Sequence, residues 1–371
     1  MPESPPIAVF LSFSGQGGVE RMVLNLVEGL AAAGHRVDLL AVRASNMEKR
    51  AWPDAVRVHD LGVRHTLLAQ PALTRYLRTD RPRALLCAKD RAIRVAVRAR
   101  VRSGVPCTLV GRLGTNLSAA LGGRGALTRW LRLAPMRRIY RQVDTVVAVS
   151  EGVAEDTAMV TGLPPTRIRV VRNPVVTPRL RQQATLVPDH PWLVEGGAPV
   201  ILGAGRLTQQ KDFETLIRAY ALVHKTRAAR LLILGEGRLR DDLERLAGLL
   251  GVHAAVDLPG HAENPYSYMA RAAVFVLSSR WEGSPNVLTE ALALGTPVVS
   301  TDCPSGPREL LDGGRYGELV PMGDVPAMAA AIARVLDGAR PAGSAVDAVR
   351  GYTVEASVRG YLAALDCGEE G

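Results

Sequence analysis

Short apolar, β-branched runs recur along the chain. Each is followed by a polar or glycine-rich loop and then by a stretch whose apolar residues return every three or four positions. Runs of this length bounded by turn residues read as buried strands, and the three-to-four spacing reads as amphipathic helix. On that reading strands fall at residues 7–13, 36–42, 57–61, 84–88, 107–110, 145–149 and 168–172, and again at 199–204, 230–234, 256–258, 273–277 and 297–301. Helices fall at 22–33, 67–78, 91–102, 239–250, 285–294, 325–336 and 352–365, and Ser150 caps a further helix start. Alternating strand and helix predicts α/β architecture with parallel sheets. Residues 181–198, rich in Pro and Gly, read as a linker. They separate an N-terminal domain, 1–180 with the terminal stretch 352–371 added, from a second domain at 199–351.

The stretch 273–321 carries the most pointed pattern. A strand ends near Leu277, and Ser284-Pro285 looks like a helix start, with Ser as N-cap and Pro at the first helical position. Gly295 is the expected left-handed terminator, and a second strand follows. Helix starts attract phosphate through unpaired N–H groups and the dipole. Glu282 sits just outside this start and Glu290 about two turns inside it. Beside a phosphate site, the two carboxylates suit neutral hydroxyls, Glu282 a sugar and Glu290 a ribose, with a diphosphate between. The alternative is that Glu282 merely favours the helix dipole and Glu290 is a solvated helical residue.

Other loops follow predicted strands in the same way. Gly15-Gln16-Gly17-Gly18 opens the first helix and suits close approach to an anion, but Glu20 stands where a dinucleotide fingerprint needs its third glycine. Gly205-Arg206 through Lys211 follows the strand 199–204; its two cations, five apart, could clamp a diphosphate or be plain surface charges. Gly235-Glu236-Gly237 is a further glycine turn. Gly111 to Asn116 closes another strand at its C-terminal end, where open sheets bind ligands. His261 has no neighbours at metal-ligand spacing, and there is no Asp-x-Asp pair, so no metal is expected.

Residues 282–299, EGSPNVLTEALALGTPVV, resemble the donor-site motif of the retaining, GT-B-fold glycosyltransferases of the large group 1, or family four, type. The tail DCPSGPRE at 302–309 resembles a subgroup that makes bacterial surface polysaccharides and glycans from UDP-hexoses or UDP-N-acetylhexosamines. The resemblance implies two Rossmann-like domains facing across a cleft, with the last helix crossing back to the first. It implies catalytic roles for Glu282 on the transferred sugar and for Arg206 and Lys211 on the diphosphate. Donor binding then falls to Gly17, Gly18, Gly205, Gly235, His261, Asn264, Gly283, Ser284, Pro285, Asn286, Val287 and Glu290. Many relatives place a histidine in the loop that here reads Gly111-Arg112-Leu113-Gly114-Thr115-Asn116; Arg112 and Asn116 are the substitutes on the acceptor side. The partners implied are a nucleotide sugar and a saccharide or lipid-linked acceptor, without cofactor or metal. A nucleotide-sugar epimerase, or a non-catalytic basic binding module, is the competing expectation.

Composition changes this picture in one respect. Net charge is +10, but the first 180 residues carry 28 Lys+Arg against 13 Asp+Glu, and the rest 18 against 23. Thirteen of those basic residues lie between Lys89 and Arg141, against Asp90 and, just past the end, Asp144. Within that region residues 124–133 interleave Arg with Trp and Leu, which suits an anionic membrane surface better than nucleic acid, no nucleic-acid motif being present. No run approaches the roughly 18 apolar residues of a membrane span. The N-terminus is too short in its apolar run and too acidic for a secretion signal. Cys87, Cys107, Cys303 and Cys367 lack paired spacing and read as reduced thiols, so the expectation is a cytoplasmic enzyme, peripheral at most at the inner membrane face.

Overall fold

Seven of the apolar runs near the start of the chain become parallel strands: β1 (Ile7–Ser12), β2 (Val37–Val42), β3 (Val56–Asp60), β4 (Ala84–Ala88), β5 (Thr108–Leu113), β6 (Thr145–Ala148) and β7 (Ile168–Val170). The structure, a computed structural model, describes residues 5–12, 18–42, 51–122 and 125–366. The strands lie in the order β3-β2-β1-β4-β5-β6-β7. A second sheet holds β8 (Val200–Ala204), β9 (Arg230–Leu234), β10 (Val256–Gly260), β11 (Val274–Leu277), β12 (Val298–Thr301) and β13 (Glu318–Val320), in the order β10-β9-β8-β11-β12-β13. Each unit is a Rossmann-like doubly wound α/β fold. Strand order reverses beside the first strand of each, between β1 and β4 and between β8 and β11, and ligands of such sheets bind outside the strand C-termini at that point.

Strand residues alternate between two faces, so a doubly covered sheet needs apolar side chains on both. In the first unit Phe10, Leu40 and Leu85 enter one core, while Ile7, Val9, Leu39 and Leu86 enter the other. The second core also takes Val358, Tyr361, Ala364 and Leu365 from the last helix, Val354–Leu365. That helix therefore belongs to the first unit, which comprises Met1–Pro174 and Thr353–Gly371. Its seat depends on Gly29 of the helix Gly18–Ala32: a Cβ there would stand 2.5 Å from Val354 Cγ1 and 2.7 Å from Val358 Cγ2.

The second unit runs from Val175 to Tyr352, so the boundary falls earlier than residue 180, and the segment expected as a linker is folded. Thr177 accepts a hydrogen bond from Leu180 N–H at 3.1 Å and starts the helix Pro178–Ala184. Leu180 and Leu193 are buried in the second unit's core, and the Arg230 guanidinium lies 4.8 Å from the Trp192 ring centroid. Polar and Pro-rich composition hid three apolar anchors spaced too widely to show a period. Two helices absent from the sequence reading, Ala126–Tyr140 and Phe213–His224, also appear. β13, only three residues long, is another unanticipated element.

Candidate active site

The ends of β8, β9 and β11 build the site in the second unit. Gly205 and Gly235 leave β8 and β9 at φ +154° and +140°. A Cβ on Gly235 would overlap the Gly205 carbonyl, so only glycine lets these two chain ends meet. A Cβ on Gly205 would in turn stand 3.0 Å from Lys211 Cε. The lysine stem therefore runs over bare backbone. Lys211 Nζ donates to Glu282 Oε1 at 2.6 Å, and Ser279 Oγ donates to the same oxygen at 2.6 Å. Both partners are nearly buried, with 14% and 9% of their side chains exposed. Ser278 Oγ donates to the Lys211 carbonyl at 2.7 Å, and Thr301 Oγ1 to that of Ser279 at 2.6 Å. The alternative in which Glu282 is only a surface helix-start charge does not survive this burial.

Arg206 is exposed, with no ion-pair partner among the described residues. Glu290 is 4% exposed on the helix Asn286–Ala293, so the solvated alternative fails for it too. One expectation needs correcting. The helix begins at Asn286 after Pro285 in the N-cap position, and Ser284 does not cap it. Backbone tethering explains this. Glu282 N–H donates to Pro304 O at 3.2 Å, and Gly306, at φ +102°, packs so closely that a Cβ would stand 2.7 Å from Pro285 Cδ. Residues 283–285 are thereby turned away from cap geometry. Ser284 Oγ is left buried with no hydrogen-bond partner among the described residues, just before a helix's first turn. Buried hydroxyls in proteins are usually hydrogen-bonded, so this one is an exception.

Cys303 lies close by, and burial with the Glu282 charge pushes its thiol up to about 12. His261 is exposed just beyond β10. Asn264 anchors structure with one end of its amide, Nδ2 donating to Gln183 O at 2.8 Å, while its Oδ1 is buried without a partner among the described residues.

The first unit holds the acceptor-side candidates. Arg112 is 2% exposed and donates to Asn173 Oδ1 at 2.8 Å, and burial holds its guanidinium below the usual range. It is a core residue of β5 and not a loop contact. Asn116 caps the helix Leu117–Ala120, accepting from Ala119 N–H at 2.9 Å. Gly18 begins the first helix; Gly17 lies outside the described residues. Sequence reading passed over a pair that does stand at the reversal point. Lys89, following β4 at φ +80°, donates to Glu20 Oε1 at 3.1 Å, and Glu20 is 4% exposed.

Among the described residues, Asp38, His59 and Asp80 bring ligand-type atoms within 4.8 Å of one another. Arg57 Nε and Nη2 donate to Asp38 at 3.2 and 2.9 Å, and Tyr76 donates at 2.6 Å. Arg57 donates to Asp38 and also to Asp80 at 2.7 Å, so this cluster is an ion-pair network joining β2, β3 and the end of the helix Gln70–Asp80.

Two family models match: one described as glycosyl transferases group 1, over residues 198–338, and one as a glycosyl transferase 4-like domain, over residues 17–174. The chain belongs to the group 1 glycosyltransferases of GT-B type. It is 29% identical over 329 residues to the lipopolysaccharide core biosynthesis glycosyltransferase LpsE of Rhizobium meliloti, covering 87% of each. Over 182 residues it is 36% identical to the Campylobacter jejuni N-acetylgalactosamine-N,N'-diacetylbacillosaminyl-diphospho-undecaprenol 4-alpha-N-acetylgalactosaminyltransferase, 49% of this chain and 48% of that one. The matched share of the curated relatives varies widely, from 87% of LpsE to 28% and 14% of two others. In fold it is similar to Anabaena Alr3699/HepE, solved in complex with UDP and glucose, at TM-score 0.76 and 20% identity, covering 98% and 99% of the chains.

Proposed function

We propose that the protein is a retaining, metal-independent glycosyltransferase. It moves a hexose or N-acetylhexosamine from a UDP-sugar to a saccharide or lipid-linked hydroxyl in surface polysaccharide or glycan assembly. The observation that carries this reading is the Lys211–Glu282 pair, buried at the C-terminal ends of β8 and β11 with Ser279 bracing the carboxylate. A buried ion pair is costly unless both charges are used. A diphosphate arriving at Lys211 competes for the ammonium and frees the Glu282 carboxylate to accept hydrogen bonds from sugar hydroxyls. Arg206, exposed and unpaired among the described residues, adds a second cation for the same anion.

In the reaction the bond from the anomeric carbon to the β-phosphate oxygen breaks, and the acceptor oxygen bonds to that carbon on the same face. The acceptor's proton passes to the departing phosphate, so no enzymic nucleophile is needed. Charge grows on the leaving oxygen, and fixed cations with the first-turn N–H groups after Pro285 stabilise it. Glu282 holds the sugar's orientation, where small displacements are expensive in rate.

The helix Ala126–Tyr140 supports a membrane-borne acceptor. Leu127, Trp130 and Leu131 are exposed on it, with Arg137 and Arg138 exposed further along. Apolar and cationic groups together suit an anionic bilayer surface on the cytoplasmic side.

The test is binding and turnover of UDP-, GDP- and ADP-sugars with chelator present, alongside Glu282→Ala, reading product anomeric configuration by NMR. Glu282-dependent transfer with retained configuration supports the reading. Mass-neutral conversion of the nucleotide sugar identifies an epimerase, and absence of any nucleotide-sugar binding identifies a basic binding module.

A further inference from the structure

Behind the Lys211–Glu282 contact, on the same two loops, stands a second ion pair that the chemistry does not use. Asp212 follows Lys211 directly and adopts φ +47°, ψ +46°, a left-handed conformation uncommon for a residue with a Cβ. It is 5% exposed. Arg280 stands two residues before Glu282 and grips it with two groups, Nε to Oδ2 at 3.1 Å and Nη2 to Oδ1 at 3.3 Å. Thr215 Oγ1 donates to Asp212 Oδ2 at 2.9 Å and ties that carboxylate to the helix Phe213–His224. Backbone groups complete the seam. Arg280 N–H donates to Gln210 O at 2.8 Å, and Gln210 Nε2 donates to Trp281 O at 3.0 Å.

The pair borders two pockets, of about 350 and about 450 Å³, and Asp212, Glu214 and Arg280 are among the lining residues of each. The planar guanidinium bridges the two loops beside these pockets. A forked cation fixes direction as well as distance, which a lysine at position 280 would not.

We infer that the Asp212–Arg280 bridge is a positioning device that sets where Lys211 stands relative to Glu282, and so sets the donor's placement for transfer. The inference rests on the glycosyl-transfer reading for its effect on rate, but not for its effect on Lys211 itself. Removing the bridge lets the two loops part, Lys211 leaves Glu282, and a displacement of about an ångström at the reacting centre lowers rate by up to about a hundredfold. As a half-exposed ion pair the bridge contributes little to overall stability.

The experiment compares wild type with Arg280→Met, Arg280→Lys, Asp212→Asn and Asp212→Gly, the last keeping a residue at ease with positive φ. Two quantities are read. The first is kcat and KM for the nucleotide sugar, beside Tm. The second is the acylation rate of each lysine by mass spectrometry, which is simple because the chain has only Lys49, Lys89, Lys211 and Lys225. Expected are a fall in kcat of about tenfold or more in Arg280→Met and Asp212→Asn, with Arg280→Lys intermediate. Tm should stay within a few degrees, and Lys211 labelling should rise several-fold while Lys225 is unchanged. The double variant Asp212→Asn/Arg280→Met should lose no more than either single one. Unchanged Lys211 labelling overturns the inference, as does a loss of kcat that merely follows a loss of folded protein. If wild type itself turns over no nucleotide sugar, the transfer reading fails while Lys211 labelling still decides the positioning role.

Discussion

Lys211 and Glu282 lie 71 residues apart in sequence, yet the Nζ of one is 2.6 Å from the Oε1 of the other. With no donor bound, each charge is the other's counterion. Glu282→Ala should therefore abolish most transfer, by about a hundredfold or more, and leave an unpaired ammonium in a nearly buried place. UDP should then raise the Tm of Glu282→Ala by more than it raises that of wild type, because the diphosphate replaces the lost carboxylate. Thermal scans across a UDP titration measure this directly.

Lys211→Ala removes the cation from the same contact. A charge-assisted hydrogen bond is worth about 1.5–3 kcal/mol, so UDP-sugar affinity should fall by roughly tenfold to a hundredfold. Isothermal titration gives the number, and wild-type affinity in the variant would remove Lys211 from the site.

On the proposed reading Lys211 and Arg206 supply the positive charge for the diphosphate, so turnover should be unchanged by a chelator and by added magnesium. Progress curves with and without chelator test this. Recovery of a lost rate by one divalent ion alone would mean that the side chains do not suffice.

Asp38 sets a pH dependence of stability. Burial pushes its carboxyl up, but hydrogen bonds from Arg57 and Tyr76 outweigh that and hold it below the ordinary range. Its folded value is thus below the unfolded value of about 3.9. The stabilisation is fully present above about pH 3.9 and is lost as pH falls through the folded value. Asp38→Asn should flatten that acid limb in plots of Tm against pH and leave activity at neutral pH unaffected.

Gly29 is the tight point under the last helix. Gly29→Ala places a methyl against Val354 and Val358 and should destabilise by about 1–3 kcal/mol, read from the urea midpoint. Gly29→Ala combined with Val354→Ala should recover part of the loss, since the clash is with that side chain.

The fold was legible because its strands are buried on both faces and show as unbroken apolar runs such as Val274–Leu277. Gly295, at φ +77°, ends its helix as the spacing implied, and Ser150 accepts from Val153 N–H as a cap should. What stayed hidden depends on contacts distant in sequence. Nothing local to Lys211 announces Glu282 or Arg280. The Ser284-Pro285 pair has the form of a cap, and it fails because Pro304 and Gly306, some twenty positions on, hold that turn elsewhere. Arg112 illustrates the same limit from the other side: a loop-like neighbourhood in sequence places it inside the core against Asn173. The Ser278-Ser279 pair directly after an apolar run was the one local signal of the bracing hydroxyls, and it is a weak one.

The last helix gives the chain an awkward birth. Domains usually fold in order as they leave the ribosome, the N-terminal one first. Here Val358, Tyr361 and Leu365, which complete one of the first unit's two cores, emerge only after the whole of the second unit has been made. During that interval Met22, Val23 and Leu26 have no cover from the helix that will seat on their side of the sheet. The nascent protein should therefore depend on holding chaperones for the length of one domain's synthesis, and a stop codon near Tyr352 should yield aggregate even though both sheets are complete.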